Sequence, residues 1–534
     1  MENSDVVGFA KLMLRSCNMI ISSFSALKPC ISLIIRAVGD GLGGPEVVLT
    51  SDRTLMSDYH NNEFLGFGTC APPNVIPDSL YSYMFFPPMR SKHGMPVAAP
   101  YGLRKVEATL LKGGFSVATV SPEEVEQYAP DAKVIGIHVM DPFGLGPASS
   151  TFAALFKKEP YLAIHFKSLL SRLALRRMNG NDIKIVVGGP GAWQFEYRPK
   201  FVEDYNIDCV VEGEGENVLR QIFQALLRGE PVPRHFKVGN ESAPSLDQIP
   251  DIVNPSVNGL VEIGRGCCRH CEFCNVTLRP LRWFPPEKIM REMKVNVAGG
   301  VTSCCLHAED VLLYGSKTTL PDEQRLVQLH ESVMKHTQSL SWSHCSLAAV
   351  QANPKLVSRI SDIVTARQAW WGAEIGIETG SARLARKIMP AKAHPFRAEE
   401  WPEVVRSAMG ILHDSLLVPA CTLIVGLPEE TEDDILKTME LIDDLKSVRS
   451  LIVPLYFVPL GELTSEDWFH HAEMSDLHKQ LLFQCAEHDF RWMRELIDWS
   501  IGGQWYGRFL RILMQVFGVI VKKKARQVEA SVLG

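Results

Sequence analysis

Two runs of alternating strand-length and helix-length segments, separated by a stretch without period, constrain this chain more than any other feature. From about residue 80 to 230, apolar runs of strand length fall at Tyr83–Phe86, Phe115–Val120, Lys133–Met140, Ile183–Val187 and Asp208–Val211. Helix-like segments lie between them, among them Arg104–Lys112, Tyr161–Met178 and Asn217–Leu227. Such alternation predicts a parallel sheet, because a helix returns the chain to the edge where the next parallel strand must start, by a right-handed crossover. Residues 231–258, rich in Pro, Asn and Ser and without period, predict a linker. A second series opens at Leu260, with strands expected at Leu260–Ile263, Ser303–His307, Ser339–Ser343, Trp371–Ile377, Ala420–Val425 and Ser450–Tyr456. Six such units predict a partial barrel, two short of a closed eight-stranded one. Beyond about residue 462 only helical pattern remains.

The 534 residues suffice for two or three domains with full cores, and 46% hydrophobic with 22% charged residues is ordinary for a water-soluble chain. A net charge of −6 without long single-sign runs argues against nucleic acid as a partner, which needs a basic face. The thirteen cysteines are odd in number and unevenly spaced, and no cleavable leader is evident. They predict a reduced, cytoplasmic protein with free or metal-bound thiols. The apolar ends, 8–38 and 505–526, are broken by Lys, Arg and Pro before reaching the roughly 18 uninterrupted residues of a membrane span. The C-terminal one is expected to be a docked helix, with a membrane-surface helix as its rival. Residues 1–55 are expected to form an extension outside the catalytic fold, and domain-like sequence starts at Met56.

The densest chemical signal is GRGCCRHCEFCN, with Cys267-x3-Cys271-x2-Cys274 directly after a strand. Three thiolates so close in sequence can wrap one face of an iron–sulfur cubane. Four irons usually take four ligands, so three cysteines leave one iron open. Zinc is the alternative, but it usually takes a fourth ligand, and His270 is adjacent to Cys271, which is awkward for joint chelation. A ferredoxin-like set would use Cys268-x2-Cys271-x2-Cys274, yet no Cys-Pro follows. Neighbouring side chains diverge, so Cys267 and Cys268 are not expected to serve one cluster together.

With Arg265-Gly266 before it and Phe273 before the last cysteine, this motif resembles the radical S-adenosylmethionine superfamily, over residues 258–460. The resemblance implies a [4Fe-4S] cluster on Cys267, Cys271 and Cys274, with S-adenosylmethionine on the open iron. Ile375–Ser381 (IGIETGS) is similar to the turn whose glutamate, here Glu378, reaches the methionyl or ribose part of that cofactor. Thr422–Glu429 (TLIVGLPE) is similar to the strand that lies against the adenine, which implicates Ile424, Gly426 and Glu429.

The first α/β series carries Gly188-Gly189-Pro190-Gly191 after IKIVV and Gly213-Glu214-Gly215-Glu216 after CVVE, without a phosphate-binding Lys-Ser/Thr motif. VVGGPGA and VVEGEGE ahead of a cysteine-cluster domain resemble the corrinoid half of cobalamin-dependent radical methyltransferases. That implies cobalamin near Gly188, Gly189, Gly213, Glu214 and Gly215. The chain departs from many cobalamin domains in lacking Asp-x-His-x-x-Gly, which leaves the lower cobalt ligand open; His93 is expected to be a loop residue. The chain thus reads as α/β: a cobalamin-binding-like parallel-sheet domain (56–230), a linker (231–258), a partial (β/α)6 radical barrel (259–461) and a small helical C-terminal region (462–534). The function implied is methyl transfer to an unactivated carbon of a protein or small molecule, with a ferredoxin or flavodoxin as electron donor. SLYSYMFFPP, GGPGAWQFEYRP and SWSHCSLAAVQANP resemble archaeal members that modify a glutamine of methyl-coenzyme M reductase, a methanogenesis enzyme. Methylthio transfer, radical cyclisation and a cobalamin sensor with a structural cluster are the rival readings.

Overall fold

A computed structural model describes residues 44–73, 76–178, 182–501, 507, 511 and 512. The first sheet has six strands, β1 (Val47–Ser51), β2 (Val117–Thr119), β3 (Val134–His138), β4 (Lys184–Gly188), β5 (Cys209–Glu212) and β6 (His235–Lys237). They are parallel throughout, in the order β2-β1-β3-β4-β5-β6. The four inner strands bury aliphatic residues on both faces under helices, as a parallel sheet requires. One face packs on α2 (Tyr101–Lys112) and α5 (Leu219–Leu227), the other on α4 (Tyr161–Met178).

Three expectations are corrected. The extension does not run to residue 55: β1 is wholly buried and sits between β2 and β3. Its five residues VVLTS were hidden in a stretch without period, and only pairing with two distant strands selects them. The apolar run Tyr83–Phe86 is not a strand. It ends α1 (Asp78–Phe85), where Tyr81 stacks on Phe85 and on Tyr161 at ring distances of 4.4 and 4.9 Å. The aromatic residues there serve helix packing, so tertiary context overrides β-propensity. Finally, the segment read as a linker contains β6, which pairs with β5.

The second series gives β7 (Leu260–Glu262), β8 (Ser303–His307), β9 (Ser339–Trp342), β10 (Trp371–Glu378), β11 (Leu417–Val425) and β12 (Leu451–Tyr456). Two parallel triplets, β9-β8-β7 and β10-β11-β12, meet at the bridge between His344 and Glu374, so six strands form one open barrel, as expected. The outer helices bury one stripe each. α9 (Pro354–Thr365) buries Leu356, Val357, Ile360 and Val364, and α11 (Trp401–Asp414) buries Trp401, Val404, Val405, Ala408, Met409 and Leu412, which is helical spacing. α13 (Asp476–Ile501) packs on β12.

The segment after β1 packs against the barrel strands: Phe64 stacks on Trp370 and lies over Gly372, while the Cys305 thiol donates to Glu63 at 3.4 Å. Cys304 and Cys305 are buried, as expected for core positions. A buried ion pair also joins the two halves. Lys105 of α2 meets Glu292 of α6 (Pro286–Ala298), and Tyr101 donates to the same carboxylate at 2.6 Å. No helix among the described residues is long and apolar enough to cross a membrane.

A chain beginning at Met56 removes the strand between β2 and β3. It is expected to lose cooperative thermal unfolding by circular dichroism, whereas a chain beginning at Glu46 retains it.

Candidate functional site

The cysteine loop leaves β7 through a short antiparallel pairing of Gly264–Arg265 with Arg282–Trp283. Between Gly266 and Cys274 it has no regular structure, so side chains and flanking backbone must hold it. The Glu272 N–H donates to Ile388 O at 3.0 Å, and its carbonyl accepts from Glu462 N–H at 2.7 Å. At the loop's centre Arg269 is 3% exposed. Its guanidinium donates to Asp310 (3.1 Å), to Ser346 Oγ (2.6 Å) and to His394 O (2.5 Å), and its own N–H donates to Cys267 Sγ at 3.4 Å.

Cys271 is buried, while Cys267, Cys268 and Cys274 are half-buried. Burial raises all four thiols, Cys271 to about 11. They are protonated at neutral pH until metal displaces the protons. The sulfurs of Cys267, Cys271 and Cys274 do not all lie within 4.8 Å of one another. A tetrahedral zinc with Zn–S of about 2.3 Å would draw thiolates to about 3.8 Å.

Glu378 ends β10 in a left-handed conformation (φ 64°) and is buried. It accepts from Lys392 Nζ at 2.6 Å and from Thr422 Oγ1 of β11 at 3.1 Å. The same ammonium lies 5.9 Å from the Phe273 ring centre. Burial works against the charge on Lys392, but Glu378 and then Cys271 outweigh it and raise its basicity. Lys392, Arg269 and Asp310 thus surround the cysteines, and no spacing in the sequence marked Lys392 or Arg269. Along β11, Ile424 packs half-buried on the core. Gly426 (φ 78°) lies where a Cβ would be 2.1 Å from the Phe469 ring. Glu429 is displaced from its expected place: it is exposed and paired with Lys387. A left-handed turn at that residue aims its carboxylate outward. Glu430 is the inward group, accepting from Gly426 N–H at 2.8 Å and pairing with His478 at 2.9 Å.

The carboxyl edge of the first sheet meets this loop through charge. Arg265 contacts Glu262 (2.8 Å), Glu214 (2.7 Å) and Glu216 (2.7 Å), and Arg282 takes the other Glu214 oxygen at 2.5 Å. Burial opposes the charge of Arg265, but Glu262 and Glu216 outweigh it, so the guanidinium stays cationic. Both oxygens of Glu214, expected to touch a cofactor, are therefore engaged in joining the domains. Gly188, Gly189, Gly213 and Gly215 do stand at the strand ends of this edge. His93 is an exposed loop residue, as expected.

Residues 261–442 match the family model of the Radical SAM superfamily. Among characterised proteins, the tRNA-2-methylthio-N(6)-dimethylallyladenosine synthase of Thermus thermophilus is 26% identical over 209 residues, 38% of this chain and 41% of that protein. Its namesake from Desulfosudis oleivorans is 28% identical over 199 residues, 36% and 39% of the two chains. The chain thus spans about two fifths of the length of these relatives. Among solved structures, the radical S-adenosylmethionine methyltransferase TsrM from Kitasatospora setae, with cobalamin and a [4Fe-4S] cluster bound, is similar in fold. The TM-score is 0.51 at 13% identity, covering 78% of this chain and 74% of that one. The chain carries a radical SAM domain, whose cofactors are a [4Fe-4S] cluster and S-adenosylmethionine, and such enzymes take a substrate and a reductant.

Cys267→Ala is expected to abolish the near-visible iron–sulfur absorbance and deoxyadenosine formation, whereas Cys268→Ala keeps both. The reverse result would return the ferredoxin-like spacing. Arg265→Ala leaves three buried carboxylates unpaired from it and is expected to cost about 3–5 kcal/mol in urea unfolding. His344, only partly buried, pairs with Glu374 at 3.1 Å; desolvation opposes its charge, but that partner outweighs it and raises the imidazole to about 9. The pair's contribution is full below the unfolded histidine's value of about 6.5 and is lost as pH rises through about 9. Melting temperature should therefore fall between those limits by more in the wild type than in Glu374→Gln.

Proposed function

We propose that this chain is a cobalamin-dependent radical methyltransferase that places a methyl group on an unactivated carbon. The observation that carries this reading is the joint between the glycine-turn edge of the first sheet and the cysteine loop, made by Arg265 and Arg282 on Glu214 and Glu216. Ligands of parallel α/β sheets bind outside the carboxyl ends of the strands, so a ligand of the first sheet would lie beside the cluster loop. The residues there fit a large ligand that approaches backbone. Gly189 has φ 124°, and a Cβ at that position would stand 2.5 Å from Val139 O. The floor of the edge is therefore main chain rather than side chain. When bound, the cluster and S-adenosylmethionine supply the hydrogen-abstracting radical, and cobalamin supplies the methyl group.

The chain's own residues have separate tasks in this scheme. Cys267, Cys271 and Cys274 would hold the cluster, and Arg269 fixes the loop that presents them. Glu378, held by Lys392 and Thr422, and Ile424 with Gly426 on the neighbouring strand would line the place of S-adenosylmethionine. Gly188, Gly189, Gly213 and Gly215 would floor the corrinoid. The reductant is a small electron carrier such as a ferredoxin or flavodoxin, and the setting is the reducing cytoplasm.

Methylthio transfer is the second reading, favoured by the names of the characterised relatives. It calls for further cluster cysteines ahead of the radical domain. Among the described residues of the first domain only Cys70 and Cys209 are available, and Cys209 is fully buried within β5. Cys17 and Cys30 lie outside the described residues, so the iron content decides between the two readings. For the acceptor, the resemblance to modifiers of methyl-coenzyme M reductase makes a protein glutamine the candidate. Anaerobically reconstituted protein is expected to hold one cubane and one corrinoid per chain and to form deoxyadenosine under reduction. Iron for a second cluster would favour methylthio transfer, and no deoxyadenosine would favour a sensor. Mass spectrometry of proteins from a deletion strain should show one CH2 missing from the acceptor, and an unchanged methyl-coenzyme M reductase glutamine would rule out that acceptor.

A further inference from the structure

The outer side of the cysteine loop is covered by the segment that follows Cys274. That residue runs into a short helical turn, Asn275–Leu278, whose Thr277 hydroxyl donates to Cys274 O at 2.7 Å. The chain then passes back across the start of the loop. A Cβ on Gly266, the residue before Cys267, would stand 2.6 Å from Pro280 O and 2.8 Å from Arg279 O. Main chain thus meets main chain there. Residues 275–283 form a cover that starts at one cluster cysteine and returns to the neighbour of another.

This cover carries apolar side chains outward. Leu278, Leu281 and Leu320 are 40%, 38% and 49% exposed. Single exposed leucines are ordinary, but these three are drawn together. Arg282 sends its guanidinium to Glu214 of the first domain. Side chains alternate along an extended segment, so Leu281 and Trp283 face the other way. The Trp283 indole donates to Ser316 O at 3.0 Å, and Ser316 Oγ donates to Leu320 O at 2.7 Å. Leu281 and Leu320 therefore flank the half-buried Trp283, and Leu278 closes the turn that leads into Leu281.

The rim of this apolar strip is basic. The side chains of Arg279 and Lys317 make no hydrogen bond or ion pair among the described residues. Arg325 donates to Gly315 O at 3.3 Å and pairs with Asp322 at 3.2 Å. Glu287 stands at the start of α6, close enough to be felt at Tyr314 together with Arg325. Three cations against two carboxylates make the strip locally positive, on a chain whose net charge is −6. An acidic protein is repelled by such a molecule at large and drawn to this place. An apolar centre with a polar rim suits a docking surface, and transient redox partners need only a small one. We propose that Leu278, Leu281 and Leu320, rimmed by Arg279, Lys317 and Arg325, dock a small acidic electron-carrier protein that reduces the cluster. One electron leaves the carrier and enters the oxidised cluster, and no bond forms or breaks. This rests on the radical reading of the cysteine loop and not on the cobalamin reading.

The test supplies the full-length, cluster-reconstituted protein with either of two reductants. One is a flavodoxin, kept reduced by its flavoprotein reductase and NADPH; the other is dithionite, which is too small to need a docking surface. Leu320→Asp and Lys317→Glu are each expected to weaken flavodoxin binding, read by calorimetry, about tenfold. Flavodoxin-driven deoxyadenosine formation should slow by about as much, while the dithionite-driven rate stays within about twofold and the iron–sulfur absorbance is unchanged. Leu436→Asp, at an exposed leucine of the helix Glu432–Asp444, should alter neither binding nor rate. Added salt should slow the flavodoxin-driven rate of the wild type more than that of Lys317→Glu. Equal losses with both reductants, or no loss with flavodoxin, overturn the docking role. So does a wild type that responds to dithionite and not to flavodoxin, or a Leu320→Asp variant that only breaks a dimer in sedimentation and keeps its flavodoxin-driven rate. A wild type that forms no deoxyadenosine even with dithionite sinks the radical reading itself.

Discussion

The guanidinium of Arg265, with that of Arg282 beside it, joins the two halves of this protein at the place where their chemistry must meet. It stands one residue before the loop glycine, Gly266, and reaches Glu214 and Glu216 of the other domain as well as Glu262 of its own. Arginine suits this position because its planar fork can serve several carboxylates and it cannot lose its charge. Buried ions are expensive unless fully paired, so the cluster of charges is stable in one arrangement and poor in neighbouring ones. That selectivity sets the glycine turns of the first sheet against the loop that carries the cysteines. Lys105 and Glu292 add a second buried pair beside the first, close enough that Lys105 also feels Glu262.

The cysteine loop poses a related problem. A cubane needs three thiolates presented from one side, and no helix or strand offers them at this spacing. The loop is therefore irregular, and its shape is set by what surrounds it. Arg269 supplies the interior support, tying Asp310 and Ser346 of the barrel to the backbone at His394. Lys392 adds a positive charge among Glu378, Cys271 and Cys274. A cationic neighbour of this kind balances the negative charge that three thiolates bring into a low-dielectric site.

The open barrel also explains the first domain's detour. Six strands leave an interior that a closed barrel would fill with its own side chains. Here the segment after β1 covers barrel strands, with Phe64 over Gly372 and Glu63 against Cys305. The aromatic and proline-rich stretch from 64 to 88 owes its composition partly to that covering task. It also packs α1 against α4 through Tyr81 and Tyr161.

The sequence by itself determined the α/β class, the six strands of the barrel, the cysteine triad, and Glu378 and Gly426 as strand-end positions. Each is written in local order: hydrophobic period, glycine after a strand, thiols at short spacing. Tertiary structure alone decided the rest. VVLTS becomes an interior strand only because β2 and β3 close on it, and the run at 83–86 becomes helix only because Tyr161 waits to stack on Tyr81. At the end of TLIVGLPEE, one left-handed residue sends Glu429 outward and leaves Glu430 inside, a choice that two adjacent glutamates cannot express in sequence. Arg269 and Lys392 carry no motif, because what distinguishes them is burial beside particular partners. Those relations join residues that the chain places far apart, and they exist only once it has folded.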